Sequence, residues 1–160
     1  MRDKLVPVVL MGSMLFGCSH GESVPFQRTL SSTDEVQGTF EVTEETFYSV
    51  SLEAKVIGLT EQNHANRQRA WSYLSNDAAT EALVAEVTLA PELDPDRRIV
   101  SVRVVNPKFS SWSDEVLYME LVRARLVKGT YLVRVSFSGR SLHQPSFVPG
   151  VVVQRTFSGK

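Results

Sequence analysis

Apolar and polar residues alternate in several separate stretches between residues 39 and 157. Phe40 and Val42 share one face of the first stretch. Tyr48, Val50, Leu52, Ala54 and Val56 share a face of the second, with Ser49, Ser51, Glu53 and Lys55 opposite. A period of two over such lengths predicts half-buried strands. The acidic Thr43–Thr46 stretch predicts a turn or bulge between them, and Gly58 ends the second. Leu83, Ala85, Val87 and Leu89 alternate with Val84, Glu86 and Thr88, and Pro91 to Asp96 forms the next turn. Ile99 to Val105 is β-branched, with Ser101 and Arg103 on its wetter side and Asn106-Pro107 at its end. Glu115 to Val127 predicts one long strand. Its apolar face is Val116, Tyr118, Val122, Ala124 and Leu126, with Glu120 as an exception. After Lys128-Gly129 the chain turns into a strand whose inward set is Tyr131, Val133, Val135 and Phe137. Gly139 to Gly150 predicts a long loop, and residues from Val151 onward a final strand.

Between Thr60 and Ala79 the period changes. Ala70, Trp71, Leu74 and Ala78 recur at helical spacing among polar residues, with Thr60 as N-cap and Asn76-Asp77 as stop. This predicts one short amphipathic helix laid over an end or edge of the sheets. Trp71 serves either packing, the commoner role of such a residue, or a ligand platform. Lys108 to Asp114 predicts a loop carrying Phe109 and Trp112. Two aromatic rings outside any clear strand either cap the sandwich end or form a recognition loop.

The N-terminal stretch follows a different rule. Arg2 and Lys4 precede an apolar run of 12 residues, Leu5 to Phe16. Spanning a bilayer takes about 20 apolar residues, so this run has the length of a secretory h-region. It closes on Leu15-Phe16-Gly17-Cys18, which resembles a bacterial lipobox. The resemblance implies cleavage between Gly17 and Cys18 and acylation of Cys18. Phe16 departs from that pattern, which usually has a smaller residue there. Several acyl chains on one residue hold a protein stably on a membrane, where one alone holds only marginally. Ser19, where inner-membrane lipoproteins tend to carry Asp, implies the outer membrane, periplasmic side. The expected organisation is a signal peptide over 1–17, a tether over 18–36, unless Phe26 and Leu30 dock on the domain, and a single domain over 37–160.

Composition narrows the chemistry. Without residues 1–17 the chain keeps 143 of its 160 residues, with 15 basic against 17 acidic side chains. No strong field favours nucleic acid. Cys18 is the only cysteine, so no internal disulfide is available. His20, His64 and His143 are scattered without metal-ligand spacing, and no nucleophile elbow or phosphate loop is present. No catalytic residue, metal or cofactor is expected. Arg123, Arg125 and Arg134 are placed to form a basic stripe across two paired strands, or simply a solvated face.

Leu126-x-x-Gly129-x-Tyr131-x-Val133-x-Val135 resembles the corner that leads into a late strand of immunoglobulin-like sandwiches, where a tyrosine bonds back to upstream backbone. Together with Phe40-x-Val42, Tyr48-x-Val50-x-Leu52, a short helix and a terminal Lys160, the layout resembles a family of small bacterial lipoproteins of unknown function. The resemblance implies a mainly β fold, an immunoglobulin-like β-sandwich of about seven strands with one short helix. It supplies no catalytic residues. The expected function is a lipid-anchored binding module of the bacterial envelope with a protein partner, in one version an immunity protein that blocks a toxin. The alternatives are an envelope enzyme acting on lipid or cell wall, or a structural lipoprotein.

Overall fold

The computed structural model describes residues 24–58, 61–75, 81–113 and 115–156. The lipobox, Gly17, Cys18, Ser19 and His20 lie outside the described residues, as do Thr60, Asn76-Asp77 and Phe157. Among the described residues nine strands and one helix follow in the order β1 (Phe26–Thr29), β2 (Glu35–Val42), β3 (Thr46–Val56), α1 (Glu61–Leu74), β4 (Leu83–Pro91), β5 (Val100–Val105), β6 (Phe109–Trp112), β7 (Val116–Leu126), β8 (Gly129–Gly139) and β9 (Phe147–Arg155). All pairs are antiparallel. One sheet has the order β1-β9-β3-β7-β6, the other β2-β8-β4-β5. A single buried cluster, with Leu52, Leu117 and Val151 from one sheet and Leu83, Val87 and Val133 from the other, fills the space between them.

The two strands beyond the expected seven are short edges of four residues each. Residues 24–36 had the composition of a tether, yet β1 is built from them. Phe26 and Leu30 are buried, while Gln27, Arg28 and Thr29 face solvent, as suits an edge. A paired strand therefore lies upstream of residue 37, within the stretch read as a tether. Phe109 and Trp112 likewise belong to edge strand β6 rather than to a loop.

Three further differences have local causes. β7 does not keep one phase: Leu117, Met119 and Leu121 are buried, and then Leu126. Val50 pairs with Val122 but Ser51 with Glu120, so Leu121 is an extra residue in a β-bulge. The bulge moves the inward set by one position and removes the exception at Glu120. β3 is central, and Ser49, Ser51 and Glu53 on its outer face are buried as well as its core face. β9 begins within the expected loop and includes Pro149-Gly150. Leu30 N–H donates to Pro149 O (2.9 Å), so the carbonyl of Pro149 faces β1, and its missing N–H lies on that same side. Proline there removes no bond to β3.

Two crossings between sheets are alike. From β2 to β3, Tyr48 Oη donates to Glu44 O four residues back (3.3 Å). From β7 to β8, Tyr131 Oη donates to Val127 O, also four back (2.9 Å). Both rings are buried, and Phe40 lies between them, 6.4 Å from Tyr48 and 5.8 Å from Tyr131. Gly129 has φ +153°, a value that side-chain-bearing residues rarely adopt, and so opens the second corner. This corner end also carries loop 92–98, tied in by Glu92 N–H to Thr130 O (3.0 Å). The opposite, helix end carries α1 and the β8–β9 connection.

Candidate functional site

The helix end holds a groove between α1 and β6. His64, Arg67, Gln68 and Trp71 stand at i, i+3, i+4 and i+7 of α1, which places them on one helix face, and Trp112 closes the far side. Its volume is about 350 Å³. Trp71 stacks on Phe109 with ring centroids 4.1 Å apart and planes at 18°, and meets Trp112 edge-on at 5.3 Å and 86°. These are attractive arrangements of ring quadrupoles. Trp112 remains 57% exposed. Of the rings that the sequence left as either packing or recognition residues, Trp71 and Phe109 pack on the core margin, and Trp112 exposes its surface to solvent.

α1 is fixed on its other face. Ala70 and Leu74 enter the core, and Asn66 Nδ2 donates to Ile57 O. Tyr73 Oη donates to Ser141 O (2.7 Å). Arg140, itself buried, sends Nη1 to the last-turn carbonyls of Tyr73 (2.8 Å) and Leu74 (3.5 Å) and Nε to Glu81 O (3.2 Å). A cation at a helix C-terminus satisfies orphan carbonyls and opposes the negative end of the dipole. Arg140 was not singled out from sequence; only Gly139, at φ +79° with Ala82 O 2.0 Å from where a Cβ would stand, marks how tightly this segment docks.

On the β6 side, Asn106 takes φ +48°, and its Oδ1 accepts from Leu83 N (3.0 Å). Asn tolerates this conformation better than most residues. The kink lets the chain leave β5 in one sheet and return as β6 in the other. Ser113 Oγ then accepts from Glu115 N and Val116 N, closing the turn into β7.

The basic stripe does not form. β7 pairs with β3 and β6, and β8 with β2 and β4, so Arg123 and Arg125 lie on one sheet and Arg134 on the other. Each is also engaged: Arg123 with Glu120 (2.8 Å), Arg125 with Glu45 (3.0 Å), Arg134 with Gln37 Oε1 (2.7 Å) and Glu35 (3.5 Å). The two strands are consecutive but joined by a crossing rather than a hairpin, which a face-by-face reading does not distinguish.

One polar cluster lies away from the groove. Buried Glu53 accepts from Gln27 Nε2 (2.6 Å) and sits 3.1 Å from Lys55 Nζ, linking β1 to β3. Burial, with the Glu53 carboxylate nearby, pushes the Tyr118 phenol above its usual range. A buried charge with this many partners is a cross-link of the sheet. His143 Nε2 approaches Asp34 Oδ1 at 3.0 Å, off hydrogen-bond geometry, and His64 is at the groove. Among the described residues no three His, Cys, Asp or Glu side chains gather as a metal site, and no helix is long and apolar enough to cross a membrane.

No protein-family model and no curated protein matches this chain. Its fold is similar to the crystal structure of GEBA250068378, a protein from Sulfurospirillum deleyianum, with a TM-score of 0.62 and 10% identity over 84% of this chain and 98% of that one. At that identity the likeness extends to the fold alone.

Proposed function

We propose that this protein is a lipid-anchored binding module of the bacterial envelope, facing the periplasm, whose groove between α1 and β6 receives a protein partner. The aromatic floor of Trp71 and Trp112 beneath His64, Arg67 and Gln68 carries this reading. It combines exposed ring surface with polar groups at its edge, the composition of an interface anchor. Exposed ring surface with polar groups at its edge is the chemistry of binding, and the reading is of binding rather than turnover. In its concrete version the partner is a toxin and the protein is an immunity protein, a role that needs only a complementary surface. The anchor is Cys18, by the resemblance of Leu15-Phe16-Gly17-Cys18 to a lipobox.

We propose also that the sandwich is of immunoglobulin-like type. The Tyr131-to-Val127 bond has the form of the corner at the E–F junction. β3 through β8 match strands B, C, C′, D, E and F in sheet membership and neighbours. The flanking strands are exchanged: β9 stands where A would, and β2 where G would.

A photo-crosslinking side chain at Gln68, in full-length protein made in its native host, tests the groove. A discrete crosslinked product is expected there, lost when Trp112→Ala is added, and absent with the probe at Thr39 on β2. Equal products from both positions, or a product indifferent to Trp112→Ala, refute the groove. Intact mass of the mature protein tests the anchor separately: acyl additions on residue 18 are expected, and an unmodified cysteine removes it.

A further inference from the structure

Large apolar side chains are left in solvent at both ends, Ile57, Val105, Trp112 and Val148 at the helix end and the most exposed of all, Leu93, at the corner end. Leu93 is 98% exposed, Val127 56%, Val24 47% and Phe47 42%. The register brings them together. Thr46 pairs with Leu126 and Phe47 with Arg125, beside Val127. The bond from Glu92 N to Thr130 O sets the Leu93 loop next to Lys128-Gly129. Phe26 pairs with Val153, so Val24, two residues upstream, leads toward the level of Arg155 and its partner Tyr48. The chain therefore joins the domain at the end where these side chains are exposed.

The charges around them largely cancel. Arg125 pairs with Glu45 (3.0 Å) and Arg155 with Glu44 (2.8 Å), and in the Leu93 loop Asp94 and Asp96 precede Arg97 and Arg98. Apolar tips within a balanced ring of charge suit the headgroup–acyl boundary of a bilayer better than they suit an acidic or basic macromolecule. Reach agrees. Seven residues separate Cys18 from Phe26, and at 3.3–3.6 Å each they extend no more than about 25 Å.

We infer that the corner end is a lipid-contact surface, with Leu93 and Val127 entering the bilayer interface. The inference rests on the acylation of Cys18 proposed above. It turns the domain so that the α1–β6 groove, at the other end, points away from the membrane.

The test uses full-length protein, matured in cells and placed in phosphatidylethanolamine–phosphatidylglycerol vesicles containing a doxyl-labelled lipid. Leu93→Cys carries a fluorophore in one sample and Gln68→Cys in the other, and intact mass reports acylation of residue 18 in both. Leu93 makes no buried contact, so its replacement leaves the fold intact. Quenching several-fold stronger at 93 than at 68 is expected, little changed by salt and reduced by adding Val127→Asp. Acylated protein with equal quenching at both positions, or none at 93, overturns the lipid-contact surface while leaving the anchor in place. Protein without acyl additions overturns both.

Discussion

The two ends of this sandwich use aromatic residues in opposite ways. At the corner end Tyr48, Phe40 and Tyr131 are buried, and both phenols return a hydrogen bond to backbone four residues earlier. At the helix end Trp71, Phe109 and Trp112 pack on one another along the surface. A ring bonded to backbone fixes a chain crossing. A ring packed against other rings at a surface leaves one side for something else. The contrast teaches that burial with a directed polar bond, rather than aromatic content, separates the rings that hold the fold from those free to recognise.

The comparison breaks most visibly at Tyr131. Tyr131→Ala removes a buried ring and its contact with Phe40, and a cavity of that kind costs roughly 3–5 kcal/mol. Urea unfolding should show a midpoint far below wild type. Tyr131→Phe keeps the ring, loses the bond to Val127 O and costs about 1 kcal/mol. Tyr48→Phe, whose bond is longer, should cost less than Tyr131→Phe.

Arg140→Ala probes the helix end. It strands the last-turn carbonyls of α1 and should cost about 2–3 kcal/mol, the range for removing a charged partner from buried acceptors. Loss of helical signal before the sheet unfolds would accompany it. Arg140→Ala with wild-type stability and helicity would show that α1 is held without it, by Ala70, Leu74 and the bonds of Asn66 and Tyr73.

A smaller effect appears at high pH. The Tyr118 phenol titrates above the ordinary tyrosine value of 10.0 in the folded protein because it is partly buried and near Glu53. The folded chain therefore keeps this proton longer than the unfolded chain. The associated stability is complete below pH 10 and is lost as pH rises through the folded value. Tyr118→Phe should flatten that alkaline decline, as read by unfolding midpoints across pH 9 to 11. A decline of unchanged steepness would place the titration elsewhere.

Much of the fold was legible because period-two alternation reports half-buried strands directly. The inward sets of β4 and β8 follow from it, the helix around Trp71 from the change to helical spacing, and the bond at Gly129-Tyr131 from the likeness of that stretch to a sandwich corner. What was not legible has physical reasons. An inserted residue such as Leu121 flips the phase without changing composition, so the bulge in β7 reads as a stray Glu120. β1 shows one inward residue followed by three exposed ones, which resembles a tether. The burial of Glu53 depends on Gln27 from a strand formed earlier in the chain. The groove was half visible: Trp71, Phe109 and Trp112 stood out singly, and the stripe of His64, Arg67, Gln68 and Trp71 marks only one helix face. Their contact is long-range, and no local pattern encodes it.

The division between the two ends is tested most directly by urea unfolding of Trp112→Ala beside Tyr131→Ala. Trp112 is exposed and edge-on to its neighbour, so its removal should fall within the ±0.5 kcal/mol common for surface substitutions. The midpoint of Trp112→Ala should then stay near wild type while that of Tyr131→Ala drops steeply. A Trp112→Ala protein that unfolds as early as Tyr131→Ala would make the surface rings part of the structural frame and contradict the recognition role proposed for them.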